Sequence, residues 1–343
     1  MNPKLKVNSQ RSIISCISFS ILLFFCCAYS SFAQGFTPSD DNGPFEVKQI
    51  DGYTIKDTDR NREIPIRIYY PEGKGPFPVL IYSHGTGGSY KTQTYLANFL
   101  TSHGFVCIHL THYGSDSSLI DFSQSREEII KVLRKAVTMK TMLDRPKDVS
   151  KVLDSLEQLE MAYPELKGKM DKDNIGLYGH SFGAFTTLLV AGAFQQQAKS
   201  PGGPFIDPRP KAFIAMSPQG TRPGVDPKEV YKGITRPFMS MTGSEDTDPI
   251  QVGRTAESRT IPFHNMPPGD KYLVWIIGGH HFTFSESRPW QTEQPDPIHH
   301  KYIKILHLAF WNAYLKDSKE AKAFLVDKKI EMLSNHIVEF SCR

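Results

Sequence analysis

The sequence predicts an α/β protein: a doubly wound, mostly parallel sheet preceded by an antiparallel hairpin. Three observations carry the prediction. Short apolar runs alternate with helix-length segments along most of the chain. One run, Ile175-Gly176-Leu177-Tyr178, enters Gly179-His180-Ser181-Phe182-Gly183 and leaves through a small, apolar stretch from Ala184 to Ala193. Two later runs, Phe238 to Thr242 and Tyr272 to Ile277, each open directly into a polar loop, the first acidic and the second bearing histidines.

The first 33 residues are set apart from the fold. Lys4, Lys6 and Arg11 precede an apolar run from Ile13 to Ala28, and Ser31-Phe32-Ala33 puts small residues three and one positions before a cut at Gln34. This is the pattern of a secretory signal peptide, and it predicts a secreted or periplasmic protein. The run is interrupted by Ser15, Ser18 and Ser20, and is short for the ~20 apolar residues of a membrane span. Phe24 and Phe25 stand where a lipid attachment at Cys26 or Cys27 would call for small residues. Removing residues 1–33 leaves 37 Lys+Arg against 36 Asp+Glu, so the net charge falls from +4 to +1. Nothing in that balance favours nucleic acid or an anionic membrane as partner. Only Cys107 and Cys342 remain, which excludes a disulfide scaffold and leaves one conceivable bridge.

Residues 34–44 are polar and turn-rich, a lead-in to a single domain over 45–343. Phe45 to Ile55 and Ile64 to Tyr70 flank the polar turn Asp57 to Asn61 and predict the hairpin. Phe77 to Ser83 is uninterrupted apolar sequence, as expected of a strand covered on both faces. A helix from about Lys91 to His103, stopped by Gly104, leads to a strand at Phe105 to Leu110. Thr111 to Arg145 departs from the alternation and holds a helix opened by the capping pair Ser125 and Glu128. Asp148 to Leu159 predicts a second helix, with Val149, Val152, Leu153, Leu156 and Leu159 on one face. The elbow strand and helix follow, then a Pro/Gly loop from Ser200 to Pro210 and a strand at Ala212 to Met216. Ile298 to Tyr314 predicts a last helix, with Lys301, Lys304 and Lys316 on its wet side. Only about twenty residues separate Ser217 from Pro237, so no large lid domain is expected there.

The chemistry follows from the elbow. A serine held on a sharp strand-to-helix turn stands proud of the sheet, but its hydroxyl needs a base, and the base needs an orienting acid. In α/β-hydrolases those partners follow in the order acid, then histidine. Here Glu245, Asp246 and Asp248 follow one strand, and His280 and His281 follow the next. Ser181, Asp246 and His281 are therefore the candidate nucleophile, acid and base. Phe182 and Thr86 are the candidate oxyanion donors through their backbone N–H groups, Thr86 lying in the glycine-rich loop His84-Gly85-Thr86-Gly87-Gly88. His84 precedes the serine and is read as a loop brace. Adjacent histidines rarely converge on one ion, and no carboxylate or cysteine stands at ligand spacing around them, so neither metal nor organic cofactor is expected.

Six segments carry a resemblance. Ser83-His84-Gly85-Thr86-Gly87, Ser102-His103-Gly104-Phe105-Val106 and Gly179-His180-Ser181-Phe182-Gly183 resemble the secreted platelet-activating-factor acetylhydrolases and are similar to predicted bacterial dienelactone-hydrolase-like esterases. Arg145-Pro146-Lys147-Asp148-Val149, Val152-Leu153-Asp154 and Gly278-Gly279-His280-His281-Phe282 are similar to that bacterial group and to cutinase-like polyester hydrolases. The resemblance spans Phe45 to Leu315. It implies an α/β-hydrolase fold and a serine esterase whose acid follows the seventh strand and whose base follows the eighth. Carried onto this chain, those roles fall on Ser181, Asp246 and His281, with Thr86 and Phe182 as donors. Asp246 stands three residues past Gly243, the spacing of the similar esterases, and Asp248 is the second choice for the acid. True dienelactone hydrolases use cysteine where this chain has serine, so dienelactone is not the expected substrate.

The reading is an exported carboxylic-ester hydrolase acting on a lipid, polymer or small bulky ester. The same residues would serve an acyltransferase or a peptidase. A non-catalytic binding module on a hydrolase fold would be marked by a missing triad member, and none is missing. The sequence leaves the oligomeric state open.

Overall fold

Strands β1 (Val47–Asp57) and β2 (Arg62–Pro71) form the expected antiparallel hairpin, with Ile55 opposite Ile64. Its turn is set by polar side chains: the Asp57 carboxylate accepts the Arg60 N–H at 3.1 Å, and Asn61 takes a left-handed φ of 48°. The structure is a computed structural model that describes residues 1, 36, 38–195, 205–248, 250, 254–286 and 294–343. The expected leader and its cut at Gln34 lie outside the described residues apart from Met1, as does much of the loop from Ser200 to Pro210.

Beyond the hairpin the chain alternates. β3 (Phe77–Ser83) is followed by α1 (Thr94–Ser102) and β4 (Val106–Leu110). Gly104, with φ 81°, ends the helix signal as its position suggested. α2 (Arg126–Ala136) begins with the Ser125–Glu128 capping box. The next helix differs from expectation. α3 runs Met139–Asp154 and contains Pro146, and α4 (Leu156–Ala162) continues it. A proline inside an apolar pattern usually marks a boundary. Here a Thr138–Thr141 capping box starts the helix about two turns before Pro146, which is itself buried. β5 (Met170–His180) then enters α5 (Phe182–Ala191), followed by β6 (Pro210–Met216), α6 (Pro227–Tyr231) and β7 (Phe238–Glu245). After α7 (Ile261–Asn265), β8 (Lys271–His280) and α8 (Pro297–Leu315) complete the expected pattern. Lys316 lies at the C-cap of α8, not on its wet face, and donates to the His103 carbonyl at 2.7 Å. Five elements were not foreseen: the short α6 and α7, and after α8 the elements α9 (Lys319–Val326), α10 (Lys329–Leu333) and β9 (Val338–Cys342).

The nine strands form one sheet in the order β1-β2-β4-β3-β5-β6-β7-β8-β9. From β4 across to β8 all neighbours pair in parallel, while the β1–β2, β2–β4 and β8–β9 pairs at the two edges are antiparallel. This is the α/β-hydrolase fold, and no large lid is present among the described residues. Each face of the sheet has its own core. Leu80 and Tyr82 of β3 pack with α1 and with Ile303, Leu306, Phe310 and Trp311 of α8. Val79 and Ile81 point the other way, to Val149 and Val152 of α3 and Ala184 and Leu188 of α5. That two-sided burial is why the central strands read as unbroken apolar runs. Cys107 on β4 and Cys342 on β9 are both free thiols, six places apart in the strand order and so out of bridging range. Among the described residues no helix is long and apolar enough to cross a membrane.

Strand order reverses between β3 and β5, and ligands of open α/β sheets bind where it does. The crossing is tight there: a Cβ added to Gly183 would sit 1.8 Å from the Ser83 carbonyl oxygen, and one on Gly179 2.3 Å from that of Gly183. Gly183→Ala should cost more than ~3 kcal/mol in urea unfolding. Gly224→Ala, at φ 82° with nothing within 4 Å of the added carbon, should cost about 1 kcal/mol. Equal losses would mean that this close approach does not constrain the fold.

Candidate active site

The β5–α5 turn holds Ser181 at φ 56°, ψ −117°, a strained conformation for a residue with a side chain. The Ser181 N–H donates to the Met216 carbonyl at 2.9 Å, which fixes the turn to the neighbouring strand. Its hydroxyl lies 2.9 Å from Nε2 of His281, and Nδ1 of His281 lies 2.9 Å from Oδ1 of Asp246. Three loops from three strand ends thus meet in one hydrogen-bonded chain. His281 sits in the helical turn directly after β8, and Asp246 directly after β7.

The two competing carboxylates are elsewhere. Glu245 is exposed. Asp248 accepts the Ile250 N–H at 2.9 Å and faces Arg259 at 3.6 Å. His280 also stands away from Ser181: its Nδ1 accepts the Phe282 N–H at 3.2 Å and so caps the turn that carries His281. His299 and His300 donate to backbone carbonyls, and His300 stacks on Tyr95 with ring centres 4.0 Å apart. Among the described residues no three His, Cys, Asp or Glu side chains group as a metal site. His84 behaves as a loop brace, its Nε2 accepting the His112 N–H at 2.9 Å.

Asp246 is fully buried and closely partnered. Thr242 donates to its Oδ2 at 2.9 Å, and the Arg259 guanidinium contacts its Oδ1 at 2.9 Å and its backbone carbonyl at 2.8 Å. Arg259 is itself fully buried, donates to the Ser217 carbonyl at 3.0 Å, and reaches within 3.2 Å of Nδ1 of His281. Burial pushes the Asp246 carboxyl up. Arg259 and the His281 hydrogen bond outweigh it and hold the group down at about 2. Asp246 is therefore an anion across the working pH range. Sequence reasoning missed Arg259, which follows no strand end and belongs to no motif. It also missed His180, the residue before the nucleophile, whose Nε2 donates to the His281 carbonyl at 2.9 Å.

Phe182 opens α5, so its N–H has no intrahelical acceptor and faces outward from the helix start. Gly85 brings the neighbouring loop close to the serine: a Cβ there would lie 3.2 Å from Cβ of Ser181. Thr86, Ser181 and Phe182 border one cavity of about 340 Å³. Its far wall is apolar, with Met142 and Leu143 of α3, Phe185 and Leu189 of α5, and Phe205 and Ile206. Gln219, Arg222, Asp248 and Arg254 form a polar side. The site is thus narrowed from one flank by Val137, just before α3, and by Met139, Met142 and Leu143 on the first turns of α3.

The family model described as Chlorophyllase matches residues 37–200, which include the glycine loop and the elbow but neither Asp246 nor His281. A bovine (Bos taurus) platelet-activating factor acetylhydrolase is 25% identical over 251 residues, covering 62% of this chain and 50% of that protein. A dog (Canis lupus familiaris) platelet-activating factor acetylhydrolase is 27% identical over 142 residues, covering 33% of this chain and 31% of that protein. The chain thus spans about half the length of the bovine relative and about a third of the canine one. In sequence and fold it resembles the platelet-activating factor acetylhydrolase-like α/β-hydrolases.

The carboxyl of Asp246 sits below the ordinary ~3.9 of an aspartate, so its pairing stabilises the fold above about pH 4, and that contribution is lost as pH falls toward 2. Arg259→Met strands the buried carboxylate and should cost about 3–5 kcal/mol at pH 7. That loss should shrink as pH falls through the carboxylate range, because protonation relieves the stranded group. Urea titrations from pH 2 to 8 check both, and a loss under 1 kcal/mol at pH 7 would contradict the pairing.

Proposed function

We propose that this α/β-hydrolase is an exported serine esterase that cleaves carboxylic esters with an apolar acyl or alcohol group through an acyl-enzyme. The observation that carries the reading is the continuous hydrogen-bonded run Ser181–His281–Asp246 at the mouth of an apolar cavity. His281 Nε2 takes the Ser181 proton as Oγ attacks the ester carbonyl carbon. The carbonyl oxygen becomes an oxyanion facing the N–H groups of Phe182 and Thr86. Collapse breaks the bond to the alcohol oxygen, which leaves with the proton from His281. Water then gives a proton to His281 as its oxygen attacks the acyl carbon, and the bond to Ser181 Oγ breaks as His281 returns that proton to Oγ, releasing the acid. Asp246 keeps the proton of neutral His281 on Nδ1 and stabilises the imidazolium of each step. The similarity to proteins named as acetylhydrolases supports ester hydrolysis as the class. Export rests on the basic, apolar and small-residue order of residues 1–33, and the catalytic domain on residues 45–343.

Ser181→Ala should keep the fold and lower kcat by several orders of magnitude. Asp246→Asn leaves His281 in the wrong tautomer and should approach the ~10⁴-fold loss seen when a triad acid is so changed. Asp248→Asn should stay within about tenfold. Steady-state kinetics on a p-nitrophenyl ester check all three, and collapse in Asp248→Asn alone would move the acid.

The cavity predicts the acyl preference. Across p-nitrophenyl esters from C2 to C16, kcat/KM should rise by up to about fourfold per methylene that enters the apolar wall, then level or fall once the cavity is filled. Met142→Trp should shift the optimum to shorter chains. An optimum that Met142→Trp leaves unmoved would show that the chain binds elsewhere.

A further inference from the structure

A second hydrogen-bonded run of serine, histidine and aspartate lies beneath the first. The Ser83 hydroxyl is 2.9 Å from Nε2 of His112, and Nδ1 of His112 is 3.0 Å from Oδ2 of Asp148. All three side chains are fully buried, and burial together with Arg145 pushes His112 well below the ordinary histidine range. Ser83 is fully buried, does not line the cavity that Ser181 borders, and accepts a hydrogen bond from Arg145 at 3.2 Å. This run is therefore a support, and Arg145 stands at its inner end. Arg60 and Arg62 anchor the outer end, each contacting Asp148 at 2.8 Å.

Arg145 is 1% exposed, and among the described residues no carboxylate bonds to its guanidinium. Every hydrogen bond it makes goes to a neutral oxygen. Nε donates to the Thr186 hydroxyl at 3.0 Å and Nη1 to that of Ser115 at 2.8 Å. Nη2 donates to Ser83 and to the His84 carbonyl. The guanidinium carbon lies 4.4 Å from the centre of the Phe182 ring. His84 is two residues before Thr86, and Phe182 carries the other donor. Keeping a cation in so dry a place costs several kcal/mol, which makes its arrangement unusual for a purely structural residue.

We propose that Arg145 is a positioning residue that fixes the two walls of the oxyanion hole relative to each other. One planar cation holds the loop that presents Thr86 through the His84 carbonyl. The same cation holds the start of α5 through the Phe182 ring and the Thr186 hydroxyl. The role needs a rigid fork with donors in several directions, which lysine lacks. The inference rests on the serine-esterase reading of this site.

The test compares a matched oxo-ester and thionoester, since sulfur fits poorly among donors placed for oxygen. The ratio of the two kcat/KM values cancels the concentration of folded enzyme, so a loss of stability alone leaves it unchanged. Arg145→Lys should lower the oxo-to-thiono ratio by at least about tenfold, with KM for the oxo-ester within about threefold of wild type, given that one lost oxyanion donor costs ~10²–10³ in kcat. Millimolar guanidinium added to Arg145→Ala should restore part of the ratio. A ratio within twofold of wild type in a slow Arg145→Lys enzyme would overturn the proposal and leave Arg145 a stability residue. If the Arg145 variants do not fold, Ser115→Ala with Thr186→Val removes two hydroxyls that aim the guanidinium while retaining the cation. That pair should lower the ratio at least threefold, and an unchanged ratio overturns the proposal equally. Failure of the esterase reading is distinct: wild type would then turn over neither ester, and the inference would fall with it.

Discussion

The structure depends on one close approach, that of Gly183 to the Ser83 carbonyl where strand order reverses between β3 and β5. Any side chain at Gly183 would hold α5 off the end of β3. With glycine there, the helix start lies directly over the loop that follows β3, and Thr86 comes to border the same cavity as Ser181 and Phe182. The strained φ of Ser181 is a consequence of this crossing, and it is what aims the hydroxyl at His281. The glycines flanking the serine are thus a packing requirement before they are a chemical one.

Two buried arginines divide the remaining work. Arg259 lies behind the acid and histidine loops, where it contacts Asp246 and reaches Nδ1 of His281. Arg145 lies behind the glycine loop and the elbow, where it contacts only neutral oxygens and an aromatic face. One therefore holds a carboxylate ionised in a dry site, while the other organises polar groups that carry no charge. The two serine–histidine–aspartate runs differ in the same physical way. Ser181 opens on a cavity with backbone donors beside it, whereas Ser83 is enclosed and hydrogen-bonded by a cation. Geometry within a triad does not distinguish them, but access and surroundings do.

Much of this was legible in the sequence because the informative signals are local. A strand, a glycine-bounded serine and an apolar helix stand within twenty residues, and the acid and histidine loops each follow a strand directly. The hairpin, the capping box at Ser125 and the stop at Gly104 are likewise short-range. What escaped was long-range. Arg145 and Arg259 sit in polar stretches that resemble solvated surface, and their burial follows from partners 41 and 62 residues away for Arg145 and 42 for Arg259. β9 is five residues whose strand character comes from pairing with β8. The apolar face read from Asp148 onward covers only the second half of α3, because the cap at Thr138 carries the helix through Pro146.

The central claim is that Ser181, and not its buried counterpart Ser83, is the nucleophile. An alkyl fluorophosphonate reacts with an activated serine and leaves a stable covalent mark. Peptide mass mapping after stoichiometric treatment should therefore find one phosphonyl group per chain, on Ser181, with ester hydrolysis lost in proportion to labelling. A label on Ser83, or full hydrolytic activity in an enzyme fully labelled at Ser181, would contradict the account.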